Sequence, residues 1–419
     1  MHAFTVVFLI ALAVTTATRM WLAGRHIRHV LAYRDDVPAE FAASVTLSAH
    51  QKAADYTVAK TRLGRWETLV SVGLLLIFTL GGGLQFLADA WTSAFRAGGY
   101  AHGIALVASV ALISGIVDLP FSVYRVFVVE ERFGFNRMTA GLFIADLAKQ
   151  VTLGAALGLP LLFAVLWLMD RMGAYWWLYV WLAWMAFNLV ILAIYPTVIA
   201  PLFNKFTPLA DESLRARIEA LLARCGFRAK GLFVMDGSKR SSHGNAYFTG
   251  LGAAKRIVFF DTLMQRLAPQ EIEAVLAHEL GHFKHRHVIK RIAMVSVVSL
   301  VFLAALGYLI RQDWFFHGLG VQTPSTALAL LLFFMALPAF TFLFHPLASV
   351  YSRRHEYEAD AYAARQASAG DLVHALVKLY QDNAATLTPD PVHSAFYDSH
   401  PPAALRVARL QAFSRPRPT

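Results

Sequence analysis

The run Ala174-Tyr-Trp-Trp-Leu-Tyr-Val-Trp-Leu-Ala-Trp-Met-Ala-Phe-Asn-Leu-Val-Ile-Leu-Ala-Ile-Tyr-Pro-Thr-Val-Ile-Ala-Pro-Leu-Phe203 contains no Asp, Glu, Lys or Arg. About 20 apolar residues in a helix cross the hydrocarbon core of a bilayer, and this run is longer than that. Six further stretches meet the same test, at about 4–24, 67–90, 101–124, 150–170, 292–311 and 325–350. The whole chain agrees with this reading. Of its 419 residues 57% are hydrophobic and 16% charged, with a mean hydropathy of +0.50, whereas a soluble domain carries about a quarter charged residues. The pattern predicts an all-α membrane protein with seven transmembrane helices. The first stretch reads as a retained anchor rather than a signal peptide, because only His2 precedes it and no small-residue cleavage site follows before Arg25.

Charge orients the spans. Arg25, Arg28, Arg34, Lys52, Lys60, Arg62 and Arg65 follow the first span, and Arg125, Arg132, Arg137 and Lys149 follow the third. Little more than Arg96, Arg171 and Arg311 follows the second, fourth and sixth. Basic residues mark loops that stay in the cytoplasm, so the N-terminus is expected outside and the C-terminus inside. The net charge of +11 is assigned to this orientation and not to nucleic acid, which is not expected as a partner.

The parity makes the long segment at about 204–290 cytoplasmic. It reads as an α block with a small β-sheet. A helical pattern at Leu214, Ile218, Leu221 and Leu222 stops at Cys225-Gly226. Strand-like runs follow at Leu232 to Met235, Ala246 to Thr249 and Ile257 to Phe260. A second helix begins near Pro269, with Glu271 and Glu273 in its first turn, and is expected to run on into the sixth span. After the seventh span come a polar helical stretch at 352–387 and a Pro-containing tail.

The second helix contains His278-Glu279-Leu280-Gly281-His282. Residues four apart lie one above the other on a helix, so the two imidazoles can hold one Zn2+. Glu279 lies about 100° round the helix, where it can reach a water on the metal without being a ligand, as a general base must. Cys225 is the single cysteine, so a thiolate site is excluded and any metal must be held by histidines and carboxylates. A third histidine after a glycine is absent, since His285 and Val288 stand at those positions. Between His282 and Glu356 the only acid is Asp313, beyond the sixth span and on the wrong side of the membrane. The first acid on the correct side opens Glu356-Tyr-Glu-Ala-Asp360, in which Glu356 and Asp360 share a helical face. One of them can bind the metal while the other accepts the free ring N–H of a ligating histidine. Glu358 points elsewhere and is expected in solvent.

Further runs stand around these residues: Asp118-Leu-Pro-Phe-Ser-Val-Tyr124, Val129-Glu-Glu-Arg-Phe-Gly-Phe-Asn136, Gly237-Ser-Lys-Arg-Ser-Ser-His-Gly-Asn-Ala-Tyr-Phe248, Arg256-Ile-Val-Phe-Phe-Asp-Thr-Leu263, Ser352-Arg-Arg-His-Glu-Tyr-Glu-Ala-Asp360 and Ser399-His-Pro-Pro402. With the HExxH helix they give the chain a resemblance to the type 1 CAAX prenyl proteases, integral-membrane zinc endopeptidases, over most of its length. The resemblance implies seven helices forming a chambered barrel, with the zinc site at its cytoplasmic end. It implies His278, His282 and Glu356 as ligands of one Zn2+, Glu279 as base and Asp360 as partner to a ligating histidine. It further implies Asn245 as a substrate contact, His400 as a histidine stabilising the tetrahedral intermediate, and Arg406 as its companion. From the residues alone, Asn245 to Phe248 reads either as an edge strand beside the metal, pairing through Ala246 and its neighbours with an extended peptide, or as ordinary hairpin packing. His400 precedes two prolines, which favour an extended or turn backbone suited to presenting its ring.

The expected division is residues 1–205, a five-helix membrane domain, and 206–419, a zinc metallopeptidase domain with two more spans. The expected activity is peptide-bond hydrolysis, with a peptide or protein substrate, prenylated or membrane-associated, and membrane lipid as surroundings. The expected location is a bacterial inner membrane or the endoplasmic reticulum, with the active site facing the cytoplasm. A membrane quality-control zinc protease without a prenyl requirement is the alternative. A channel or transporter is the reading from another class, opposed by the scarcity of ionisable residues in the spans beyond Arg19 and Asp118.

Overall fold

The structure, a computed structural model, describes residues 2–228, 230–249 and 256–414. Helix α1 (Ala3–Ala32) is followed by α2 (Leu47–Phe78), whose start is set by Thr46, its hydroxyl accepting from the backbone N–H of Ala49. A second span was expected as one stretch at 67–90, but the helix begins twenty residues earlier and then breaks. Gly81, Gly82 and Gly83 interrupt it, with Gly82 in the left-handed region (φ 77°), and the chain resumes as α3 (Gly83–Trp91) bent by 53°. Then come α4 (Tyr100–Tyr124), which runs into a π-helical turn at Arg125–Glu130, α5 (Ala140–Arg171), α6 (Trp176–Ile194) and the short α7 (Ala200–Phe203).

The soluble block opens with β1 (Phe206–Pro208), a three-residue strand too short to leave a sequence pattern. Helix α8 (Glu212–Cys225) is capped by Asp211 and ends at Gly226 in the left-handed region, the stop expected from Cys225-Gly226. Strands β2 (Gly231–Met235), β3 (Ala246–Thr249) and β4 (Arg256–Phe260) follow, and the sheet order is β1-β2-β4-β3. β2 and β4 are parallel, and β3 runs antiparallel to β4 with Ala246 opposite Phe259. β3 therefore forms an edge. A single turn, α9 (Asp261–Met264), leads to α10 (Pro269–Lys284), the HExxH helix.

Two expectations for α10 need correction. Glu271 does serve the helix start, accepting from the Ala268 N–H at 2.7 Å. Glu273 instead pairs with Arg217 and Arg224 of α8, tying that helix to α10. Nor does α10 continue into the sixth span. It ends at Lys284, Arg286 takes a left-handed backbone (φ 56°), and α11 (His287–Leu309) starts afresh.

Helix α12 (Asp313–Gly318) lies in the connection to α13 (Thr326–Thr341). One helix, α14 (His345–Gln366), then carries both the end of the last apolar stretch and the Glu356–Asp360 group, so the expected boundary near 352 is absent. The site carboxylates thus stand on a rigid extension of a membrane helix. Ser368 caps α15 (Ala369–Asp382). The tail holds two more helices, α16 (Pro391–Tyr397) and α17 (Ala403–Ser414); residues 415–419 lie outside the described residues.

Among the described residues, six helical stretches are long and apolar enough to cross a bilayer, and the bent α2–α3 pair makes a seventh. Many large apolar side chains on them are exposed, including Ile77, Leu112, Ile144 and Val297, as lipid-facing surface requires. Between α4, α5, α6, α11, α13 and α14 lies an apolar cavity of about 1010 Å3 touched by Val107, Leu161, Trp184, Val298, Leu331 and Tyr351. A separate core built from Ile218, Ile257, Ala277, Leu280 and Leu372 holds the soluble block and packs one face of α10.

Candidate metal centre and active site

Helices α10 and α14 cross at Gly281 and Ala359. A Cβ on Gly281 would lie 2.8 Å from the Cα of Ala359, so only glycine permits this approach. Close contact here sets the two HExxH imidazoles directly opposite Glu356. Gly281→Ala is expected to force the helices apart, costing about 1–3 kcal/mol as overpacking does. Thermal unfolding in detergent should show a lower midpoint; an unchanged midpoint with unchanged activity would contradict the argument.

His278 Nε2 and His282 Nε2 are 3.3 Å apart. Glu356 Oε2 lies 3.5 Å from the first and Oε1 3.4 Å from the second. Among the described residues these three form the one group of histidine, cysteine or acidic side chains able to hold a metal ion. Donors about 2.0–2.1 Å from a tetrahedral Zn2+ sit about 3.3–3.4 Å from one another, and each Glu356 oxygen stands close to that distance from one imidazole, so the set fits that ion. Charge agrees. Glu356 is buried, and its Oε2 has no hydrogen-bond partner. Burial pulls the His278 imidazole down, yet the Asp360 and Glu356 carboxylates facing its two ring nitrogens outweigh this and hold it at about 9. The pocket thus draws in positive charge. Burial, with His278 alongside, pushes His282 down to about 3, leaving its ring neutral with a lone pair to offer.

Asp360 accepts from His278 Nδ1 at 2.9 Å, which directs Nε2 toward Glu356. Arg406 of α17 grips Asp360 with both arms of its guanidinium, Nε to Oδ2 at 2.9 Å and Nη2 to Oδ1 at 2.6 Å, and both residues are buried. Asp360→Ala is expected to weaken metal binding by about 10- to 100-fold, because it frees the ring and strands a buried guanidinium. Competition with a chelator measures this, and undiminished affinity would refute it.

Glu279 is half-buried. Burial raises its carboxyl above the ordinary range, and the carboxylate makes no hydrogen bond or ion pair among the described residues. It faces a cavity of about 240 Å3 shared with His278, Asn245, Ala246, His400 and Arg406. His400 Nε2 stands 3.4 Å from Glu356 Oε2, while its Nδ1 meets Ser399 Oγ at 3.0 Å. Asn245 uses its side-chain oxygen to accept from the Ala246 N–H and its backbone oxygen to accept from Phe260. All nine residues singled out in the sequence therefore gather at or around one site.

Sequence reasoning missed the parts that hold the tail in place. Arg353 donates to the backbone oxygens of Ser394 and Asp398, clamping α16 just ahead of His400. Buried Asp390 caps α16 and pairs with Arg25 of α1 at 2.9 Å. An Asp before a Pro at a helix start was a readable cap signal; its partner 365 residues away was not.

Two family models match the chain in succession: CAAX prenyl protease N-terminal, five membrane helices, over residues 26–205, and Peptidase family M48 over residues 208–414. A CAAX prenyl protease 1 homolog from Oryza sativa subsp. japonica is 42% identical over 74% of this chain and 73% of its own length. The chain belongs to the CAAX prenyl protease family. CAAX prenyl protease 1 of Saccharomyces cerevisiae is 36% identical over 75% of this chain and 73% of its own. The Homo sapiens homolog is 30% identical over 93% and 91%. The crystal structure of S. mikatae Ste24p superimposes with a TM-score of 0.90 at 30% identity, covering 98% of this chain and 99% of that one. As a member of the CAAX prenyl protease family, the chain is an integral-membrane metalloendopeptidase acting on peptide or protein substrates.

Proposed function

We propose that this metalloendopeptidase uses one Zn2+ held by His278, His282 and Glu356, and cleaves prenylated protein C-termini from the cytoplasmic face of its membrane. The observation that carries the metal assignment is a pair of imidazole nitrogens 3.3 Å apart, each 3.4–3.5 Å from one oxygen of Glu356, with the buried Oε2 accepting no hydrogen bond. Zinc held there supplies Lewis acidity, acidifying water and polarising a scissile carbonyl. Glu279 takes the proton of the attacking water and returns it to the leaving amine; its free carboxylate and raised affinity for protons suit both steps. His400, exposed to the cavity and held toward Glu356, donates to the oxygen that gains charge. Arg406 keeps Asp360 ionised and in place, and Asp360 keeps the His278 ring turned.

Strand β3 begins at Ala246, beside the cavity and next to Asn245, and its outer side, unpaired among the described residues, suits an extended peptide that adds a strand. Asn245 at the mouth orients that peptide. The prenyl requirement is supported by the names of the relatives and by the apolar cavity among the membrane helices. This favours the prenyl-directed reading over general quality control. The basic loops support a cytoplasmic active site, in an endoplasmic reticulum or a bacterial inner membrane. We divide the chain at 205/206 into a five-helix membrane part and a peptidase part with two further spans. Nucleic acid has no place in this reading.

The test is zinc analysis of the purified protein, with mass spectrometry of prenylated and plain peptides before and after chelation. One zinc per chain, cleavage abolished by chelator and restored by Zn2+, and preference for the prenylated peptide are expected. Chelator-insensitive cleavage would sink the metal assignment; equal cleavage of plain peptides would sink the prenyl requirement.

A further inference from the structure

Resting on the zinc reading above and deepening it, we propose that His287 and Glu358 are positioning residues that hold His282 in its ligating tautomer. His282 Nδ1 lies 2.9 Å from His287 Nδ1, and His287 Nε2 lies 3.0 Å from Glu358 Oε2. The assignment of protons along this chain has one solution. With its Nε2 lone pair turned to His278 and Glu356, His282 carries its proton on Nδ1 and donates it. His287 must then accept on Nδ1 and carry its own proton on Nε2, which it gives to the Glu358 carboxylate. Every donor faces an acceptor.

The fold goes out of its way to build this contact. On an unbroken helix residue 287 would stand about 140° round from residue 282, out of reach. The left-handed backbone at Arg286 ends α10 and turns α11 so that the His287 ring meets the back of His282. An L side chain adopts that conformation only when its surroundings hold it, and such positions cluster at functional sites. His287 is buried, and its ring is stacked on His355 at 4.0 Å and on His285 at 5.6 Å. Glu358 was expected in solvent; its side chain is only 32% exposed and it is further held by Arg354 at 3.5 Å. The two ligating histidines thus have different supports. His278 rests directly on the buried, Arg406-clamped Asp360, whereas His282 reaches its carboxylate through an intervening imidazole.

The experiment uses full-length protein stripped of metal in detergent, with Zn2+ affinity read by competition against a chromophoric chelator and the site's geometry read from the Co2+ absorption spectrum. His287→Ala and Glu358→Ala should each weaken Zn2+ binding by about 10- to 100-fold and alter the Co2+ bands. His287→Asn, whose side-chain oxygen can still accept from His282 Nδ1–H, should recover most of that loss. His355→Ala, which removes only a stacking neighbour, should lower the unfolding temperature without this loss of affinity. Wild-type affinity in both alanine variants overturns the proposal, as does failure of His287→Asn to bind better than His287→Ala. Glu358, being partly exposed, keeps the test valid if His287→Ala does not fold. Absence of Zn2+ binding by the wild type would be a different failure, that of the zinc reading itself.

Discussion

Glu279→Gln is expected to keep its zinc and lose peptidase activity by roughly 10^2- to 10^4-fold, the usual worth of a positioned general base. Glutamine matches glutamate in size and hydrogen-bonding reach but cannot take up a proton at neutral pH. The loss should be clean because nothing else depends on this carboxylate. Among the described residues it holds no hydrogen bond or ion pair, and it faces the small cavity it shares with His278 without being one of the three candidate ligands. Metal content, helix packing and unfolding temperature should therefore match those of the wild type. A variant retaining full activity would show that another group moves the proton. A variant without zinc would show that Glu279 belongs to the ligand set.

His282→Ala is expected to abolish both metal and activity. Two donors would remain, His278 and Glu356, where a stable site with an open position needs three. The fold should survive, since the His282 side chain is 20% exposed and Gly281, the close contact with Ala359, is untouched. Metal analysis should fall to background while circular dichroism keeps its helical signal. One zinc per chain in this variant would refute the assignment. The two variants together separate a residue that moves a proton from one that holds the ion.

Much of the site was legible because its spacings are short. His278 and His282 share a face four residues apart, and so do Glu356 and Asp360; the helix period alone aligns each pair. The joining of the pairs across 74 residues also left a trace. The apolar span α11 lies between the HExxH helix and Asp313, so Glu356 was the first acid expected on the helix's own side. Asn245, His400 and Arg406 were reached through the runs around them, since no period links a loop histidine to a helix 121 residues earlier.

Composition and helical periodicity by themselves determined a seven-span membrane protein with an HExxH helix in its main soluble segment, because hydrophobic length and a 3.6-residue repeat are local properties. Tertiary structure alone decided the bend after Phe78, the turn at Arg286 that brings His287 onto His282, and the docking of the tail through Arg25, Asp390 and Arg353. Each of these depends on backbone torsions at single residues or on partners far apart in the chain. Their stabilisation comes from packing that exists only once the helices have assembled.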